Sequence, residues 1–199
     1  MPDGPESTRG SSPREHIDVG LRAVLTAVDE LAACPDLDTL YRRGIELARE
    51  RLGVERCSLF VCDGPCIRGT FGTDLHGQTT DERAYARNTT EYPDGRVVPS
   101  GPDADRWIYW PSEVSEWEDG DFRAVRRGWV VCTPLWQGSE LAGVFYNDTA
   151  ITGAEVDSEL QDRLAVYVSF LSSLIAQRQS ERTQEELFRA ALISVRELA

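Results

Sequence analysis

The chain has 199 residues, 41% hydrophobic and 28% charged, the proportions of one ordinary globular domain. Its 34 acidic against 21 basic residues give a net charge of −13, which argues against binding to nucleic-acid phosphates or to an anionic membrane surface. Every basic residue is Arg, so phosphate-loop, Schiff-base and kinase-strand lysine chemistries are excluded, and two His are too few for an imidazole-rich metal site.

Residues 1–16 are rich in Gly, Pro and Ser without an apolar run, which predicts a disordered tail and no signal peptide. Ile17, Leu21, Val24, Val28 and Leu31 then repeat at helical spacing until Cys34-Pro35 breaks the pattern. Asp36 or Asp38 can cap a second helix carrying Leu40, Ile45, Leu47, Ala48 and Leu52, with Gly53 as its C-terminal stop. Residues 56–62 read as a strand, Asp63-Gly64-Pro65 as a three-residue turn, and 66–74 as the returning strand. Leu75-His76-Gly77 is a loop, and Thr80 to Arg87 reads as a short helix.

Residues 91–105 have the composition of a long loop, a type that often covers a site. Trp107 to Trp110 is an aromatic strand stopped by Pro111. Glu113, Glu116, Glu118, Asp119 and Asp121 read as a solvated acidic face, and Phe122 to Arg127 as a second short helix. Two strands, 128–136 and 140–148, are joined by Gln137-Gly138-Ser139, the length of a tight hairpin. Hairpins rather than βαβ units imply a mainly antiparallel sheet with helices on one side, an α+β layer fold.

Thr152 and Glu155 have capping-box spacing, which predicts a helix from there through Ala199 without a breaker. Leu160, Leu164, Tyr167, Leu171 and Leu174 form its 4-3-4-3 seam. The same count lands on polar Arg178, Glu181 and Glu185, then resumes at Phe188, Leu192, Val195 and Ala199. That continuity suggests a coiled coil, and hence a homodimer through Leu160, Leu164, Leu171, Leu174 and the N-terminal helix, with the polar interval making the seam switchable. The longest nearly apolar stretch, 165–176, is too short for a membrane span. No membrane association and a cytoplasmic location are the expectation. A Lys-free acidic composition fits coding bias or adaptation to high salt, and neither bears on function.

Five Cys (34, 57, 62, 66, 132) form an odd set without secretory context, favouring free thiols. Cys62 and Cys66 flank the expected turn and would face each other across its mouth, within disulfide reach, whereas alternation sends Cys57 to the other face. They are inert thiols or a reversible redox pair; C-x4-C-x3-C is poor metal spacing. Trp107 and Tyr109 share one strand face, as do Val130 and Cys132, while Trp110 and Trp129 fall on opposite faces of their strands. Trp107, Tyr109, Cys132 and Phe71 are candidate pocket-lining residues or ordinary core. Thr80 to Arg83 could cap a helix and aim Arg83 at an anionic ligand, or simply start a helix. No nucleophile elbow, zinc-protease helix or dinucleotide-binding glycine motif is present.

The run DLDTLYRRGIELARERLGVERCSLFV (36–61), the hairpin ending IRGTFGTD (67–74) and GWVVCTPLWQGSELAGVFYND (128–148) followed by a long helix resemble a GAF domain. The resemblance covers roughly residues 17–178 and leaves 179–199 as a signalling helix extension. The terminal hairpin is its most specific piece, with Pro134-Leu135, a polar turn and Leu141 to Val144. The resemblance implies a six-stranded antiparallel sheet with the terminal helices packed on one face. On the other face it implies a ligand cavity, covered by approximately Thr80 to Arg127. It implies small-molecule sensing and dimerisation in a bacterial signalling protein, without intrinsic catalysis.

Known ligand types of that family leave the ligand and any cofactor unnamed. The cyclic-nucleotide signature needs a Lys, bilin attachment a Cys followed by His, and the methionine-sulfoxide-reductase type cysteines in the cover, where residues 67–131 have none. Haem or nonhaem iron would have only His76 and Tyr109 to draw on. Three readings therefore stand: a ligand sensor, a thiol redox sensor or reductase built on Cys62 and Cys66, and a purely structural dimerisation module. The chain has no phosphoacceptor His in a dimerisation helix and no basic helix-turn-helix. The effector of a sensor would lie in another domain or a partner protein.

Overall fold

A computed structural model describes residues 13–88, 101–102 and 105–197. Helices α1 (Pro13–Ala32) and α2 (Leu37–Leu52) are followed by strands β1 (Arg56–Asp63), β2 (Cys66–Gly69), β3 (Phe71–Thr73), β4 (Thr79–Asp81) and β5 (Ala86–Asn88). The long strands β6 (Ile108–Glu118) and β7 (Asp121–Gln137), then β8 (Glu140–Asp148), lead into α3 (Ser158–Glu197). Six strands pair in the order β5-β2-β1-β8-β7-β6, every pair antiparallel, while β3 and β4 form a separate two-stranded sheet.

Local chemistry sets the helix ends. Asp36 is the cap of α2, its carboxylate accepting the Thr39 N–H at 2.7 Å. Gly53 ends the helix at φ 82, a left-handed conformation that costs a glycine nothing, and its N–H closes onto Ala48 and Arg49 carbonyls. Helix α3 begins at Ser158 rather than near Thr152. Asp157 supplies the cap, accepting from the Glu159 and Leu160 N–H groups. Thr152 is instead held by the Glu55 carboxylate, which also accepts from the Ile151 and Thr152 amides.

All three helices lie on one face of the sheet. Val24, Ala27 and Leu31 of α1, Leu40, Ile45, Leu47 and Ala48 of α2, and Leu164, Val168, Leu171 and Ile175 of α3 close over Leu59, Leu135 and Phe145. Gly44 allows the α2–α3 approach, since a Cβ there would stand 3.1 Å from Leu171, and the buried Tyr167 hydroxyl donates to its carbonyl at 2.9 Å. Helices α1 and α3 run parallel: Gly20 abuts Arg163, and further along Arg178 donates to the carbonyls of Ala32 and Cys34.

This packing corrects the expected dimer seam. Leu164 and Leu171 are completely buried within the protomer, and Leu160 and Leu174 pack against the same core, so the 4-3-4-3 stripe records the helix's own seat on the domain. Arg178 likewise serves the protomer by closing off the end of α1. The helix passes residue 178 without a break. From Arg182 onward every described side chain of α3 is exposed, Leu187, Phe188 and Ile193 among them.

Neither expected short helix forms. At 80–87 the acids that suggested a helix start make one turn only: Asp81 accepts the Arg83 amide, and the Glu82 amide donates to Thr70 instead of entering a helix. At 122–127 the chain is the first part of β7, paired to β6 through a tight turn at Asp119-Gly120. Both turn residues have positive φ, 54 and 89, the geometry of a type I′ hairpin, for which Asp-Gly is a strong sequence signal. Of the tail expected at 1–16, residues 1–12 lie outside the described structure and 13–16 are already α1; the loop expected at 91–105 also lies mostly outside.

Candidate ligand cavity

The sheet face away from the helices is lined by a second apolar cluster, in which Phe60, Ile67, Cys132 and Val144 are buried beside Tyr85, Ile108, Trp110, Phe122 and Tyr146. Strand register explains the set. Phe60 opposes Val144, Cys132 opposes Tyr146, and Trp110 opposes Val130, so their side chains share that face.

The outer half of the β6–β7 hairpin folds back over this cluster as a lid. A register shift between Val114 and Ser115 interrupts the ladder where the bend is needed. The tip is fixed by aromatic contacts: the Phe122 ring centroid lies 5.2 Å from Tyr85 and 6.0 Å from Phe60, and Trp117 is edge-on to Phe122 at 5.0 Å. Polar pins hold its edges. Arg56 donates to the Ser115 carbonyl, the Leu75 amide to Glu116, and Arg126 to the Ala150 carbonyl.

Between lid and sheet lies a cavity of about 230 Å³. Its apolar wall is Phe60, Tyr85, Trp110, Phe122, Val130 and Tyr146. Its polar groups include Arg56, Ser58, Thr73, Ser112 and Asp148. Arg56 is buried and its guanidinium is engaged on each nitrogen: with Thr73 carbonyl at 3.1 Å, Ser115 carbonyl at 3.0 Å and Asp148 at 3.3 Å. Burial pushes the Asp148 carboxyl above its ordinary value, with Arg56 opposing the shift.

Behind Ser58 sits Glu82, only 1% exposed. One carboxylate oxygen accepts from the Ser58 and Thr80 hydroxyls, each at 3.2 Å, and the other has no hydrogen-bond partner among the described residues. Burial pushes this carboxyl up to about 7; the two hydroxyls and Arg56 pull it down, and Asp81 adds to the rise.

The residues singled out in the sequence fall elsewhere. Trp107 bonds Asp162 of α3 at 2.9 Å, and Tyr109 is 57% exposed on the same outer stretch of β6, so neither lines the cavity. Trp110, one residue on, does. Cys132 faces the cavity side but lies beneath its lining, and burial pushes its thiol up to about 12. Phe71 and Arg83 border a separate surface cleft against α2, where Arg83 pairs with Asp38 and Asp81 and lies 5.2 Å over the Phe71 ring. His76 is exposed in the β3–β4 turn and does not converge with Tyr109.

Cys62 and Cys66 do not face each other. The turn is only Gly64-Pro65, so Asp63 opposes Cys66 and Ile67 opposes Cys62, sending the two thiols to opposite faces. Burial also raises the Cys62 thiol, which disfavours the reactive thiolate. Among the described residues no group of three metal-ligating side chains gathers. No described helix is long and apolar enough to cross a membrane.

A six-stranded antiparallel sheet with terminal helices on one face and a covered cavity on the other is the GAF-domain fold, and solved structures agree. The GAF domain of a phosphoenolpyruvate-protein phosphotransferase from Coxiella burnetii superposes with a TM-score of 0.59 at 14% identity, covering 83% of this chain and 98% of that one. The photosensory core module of Stigmatella aurantiaca phytochrome gives 0.63 at 15% identity, over 95% of this chain and 42% of that one. A phycoerythrobilin-bound GAF domain from a cyanobacterial phytochrome gives 0.57 at 13% identity, over 81% and 99%. No protein-family model matches the chain, and no curated protein is significantly similar to it in sequence.

Proposed function

We infer that the chain is a small-molecule-sensing and dimerisation module of a signalling protein, acting without chemical turnover. One arrangement carries the reading: a covered cavity and a parallel helix pair occupy opposite faces of the same strands. Val130 and Tyr146 wall the cavity, while their neighbours Val131, Phe145 and Asn147 are buried on the helix side. A strand displaced by a ligand therefore moves both layers. For such a ligand to switch a population it must bind two helix arrangements with different affinity.

The dimer surface on this reading is the outer face of α1 and α3 together with the bare end of α3. Leu21 and Leu25 stand one turn apart and exposed on α1, Phe170 is exposed on α3, and Leu187, Phe188 and Ile193 follow beyond the domain. An isolated helix of that length is marginal in water, which supports a helical partner for it. The output goes to an effector domain or partner protein. The bilin of the phycoerythrobilin-bound neighbour is not carried over: about 230 Å³ is too small for a tetrapyrrole.

Sedimentation equilibrium tests the dimer: a dimer is expected, weakened at least tenfold by Leu25→Glu combined with Phe188→Glu. A monomer at all concentrations refutes it. Native mass spectrometry of gently purified protein tests the sensor: a retained small molecule, lost when Val130→Trp fills the cavity, is the expected result. A ligand retained equally by that variant overturns the assignment of the cavity.

A further inference from the structure

The charge inventory of the cavity says what kind of molecule it accepts. Its ionised wall groups are Arg56, Asp148 and Glu113. Arg56 and Asp148 face each other across the β1–β8 ladder and neutralise one another; each nitrogen of Arg56 already donates to a protein oxygen, and Asp148 also accepts from the Ala150 amide. Glu113 is exposed at the rim and stands opposite Arg127 in the β6–β7 register. Neither ionised group inside the wall, Arg56 or Asp148, is left uncompensated to receive an ionic ligand, and Glu82 lies behind Ser58 rather than in the lining. A charged molecule seated there would give up part of its hydration without gaining a counter-ion, which favours a neutral one.

Most of the uncharged wall is aromatic or aliphatic: Phe60, Tyr85, Trp110, Phe122, Tyr146, Val114 and Val130. Such a wall favours the stacked and edge contacts of a flat ring. The volume, about 230 Å³, falls below the roughly 300–1,000 Å³ of ordinary small-molecule pockets. Among its polar groups, the Ser58 hydroxyl already donates to Glu82 and the Ser112 hydroxyl to the Glu113 carbonyl, so each is left as an acceptor for a ligand donor.

The geometry points to an uncharged, planar ring compound with a single hydrogen-bond-donating substituent, its ring among Phe60, Trp110, Phe122 and Tyr146 and the substituent towards Ser112. This rests on the sensor reading given above and narrows it to a ligand class.

Three probes of one ring and one length separate the possibilities: 2-phenylethanol, 2-phenylethylammonium and phenylacetate, titrated calorimetrically into the full chain at about pH 6, where the Glu82 carboxyl behind Ser58 is largely protonated. The neutral alcohol is expected to bind, with both ions weaker by roughly tenfold or more. Binding should be lost in Val130→Trp and, as a milder variant whose fold is less at risk, weakened in Ser112→Leu. If an ion binds as tightly as the alcohol and Val130→Trp abolishes it, the cavity stands and the uncharged class is overturned. If no probe binds, the ring-compound class is overturned, while the sensor reading is still decided by the retained molecule in native mass spectrometry. If binding survives both variants, the cavity is not the receiving site and both readings fall.

Discussion

Arg56 Nη2 donates to the Ser115 carbonyl over 3.0 Å, which fastens the first residue of β1 to the bend of the lid hairpin. The same guanidinium neutralises Asp148, itself largely buried. Arg56→Met keeps much of the stem volume but leaves a buried carboxylate unpaired and the lid unpinned. The expected loss is about 3 kcal/mol in urea unfolding, because removing one partner of a buried pair strands the other. A loss below about 1 kcal/mol would show that the pin holds nothing.

Glu82 gives the fold a signed pH dependence. Its carboxyl is raised in the folded state to about 7, against an ordinary 4.5, so the folded protein holds an extra proton between those values. The contribution of Glu82 to stability is therefore full below about pH 4.5 and is lost as pH rises through about 7, by up to about 3 kcal/mol. Urea midpoints measured from pH 5 to 8 should decline for the wild type and decline less in Glu82→Gln, whose amide mimics the neutral acid. Parallel profiles for the two proteins would refute the assignment.

Gly72 is present because of that carboxyl. A Cβ at this position would run into the Glu82 side chain and the Ser58 hydroxyl. Gly72→Ala is expected to cost about 1–3 kcal/mol, the usual range for overpacking. Glu82→Ala should recover part of the loss in a double-mutant cycle. Purely additive effects would contradict the contact.

Arg178 bonds the carbonyls at the end of α1, at 3.2 and 3.0 Å, and pairs with Glu181. Its replacement by Leu, which would strengthen a dimer seam, should instead loosen α1 and cost about 1–2 kcal/mol. Amide exchange near Ala32 should quicken by a comparable factor. A more stable dimer with unchanged exchange would restore the seam reading.

The helices, the terminal hairpin and the antiparallel sheet were legible in the sequence because their signals are local: a periodic apolar face, a capping Asp36, a stop at Gly53. The cavity was less legible. Parity correctly set Trp110 apart from Trp107 and Tyr109, but which face of β6 turns inward depends on pairing with β7, a relation set by Val130 and Cys132 in three dimensions. Asp119-Gly120 carries a readable clue: as a hairpin turn, rather than part of an acidic run, it makes 122–127 a strand and the lid a hairpin. Glu82 offered no signal at all, since its burial comes from the β3–β4 ribbon closing on Ser58. The leucine stripe of α3 shows the opposite failure, a periodicity common to a domain-seated helix and a dimer.

Helix α3 is anchored for about half its length and bare for the rest. The 16 residues after Glu181 reach about 24 Å, so a tilt of only 10° at the root swings the far tip by about 4 Å. A displacement too slight to register inside the domain thus becomes, at that distance, a change as large as the spacing between neighbouring side-chain rows.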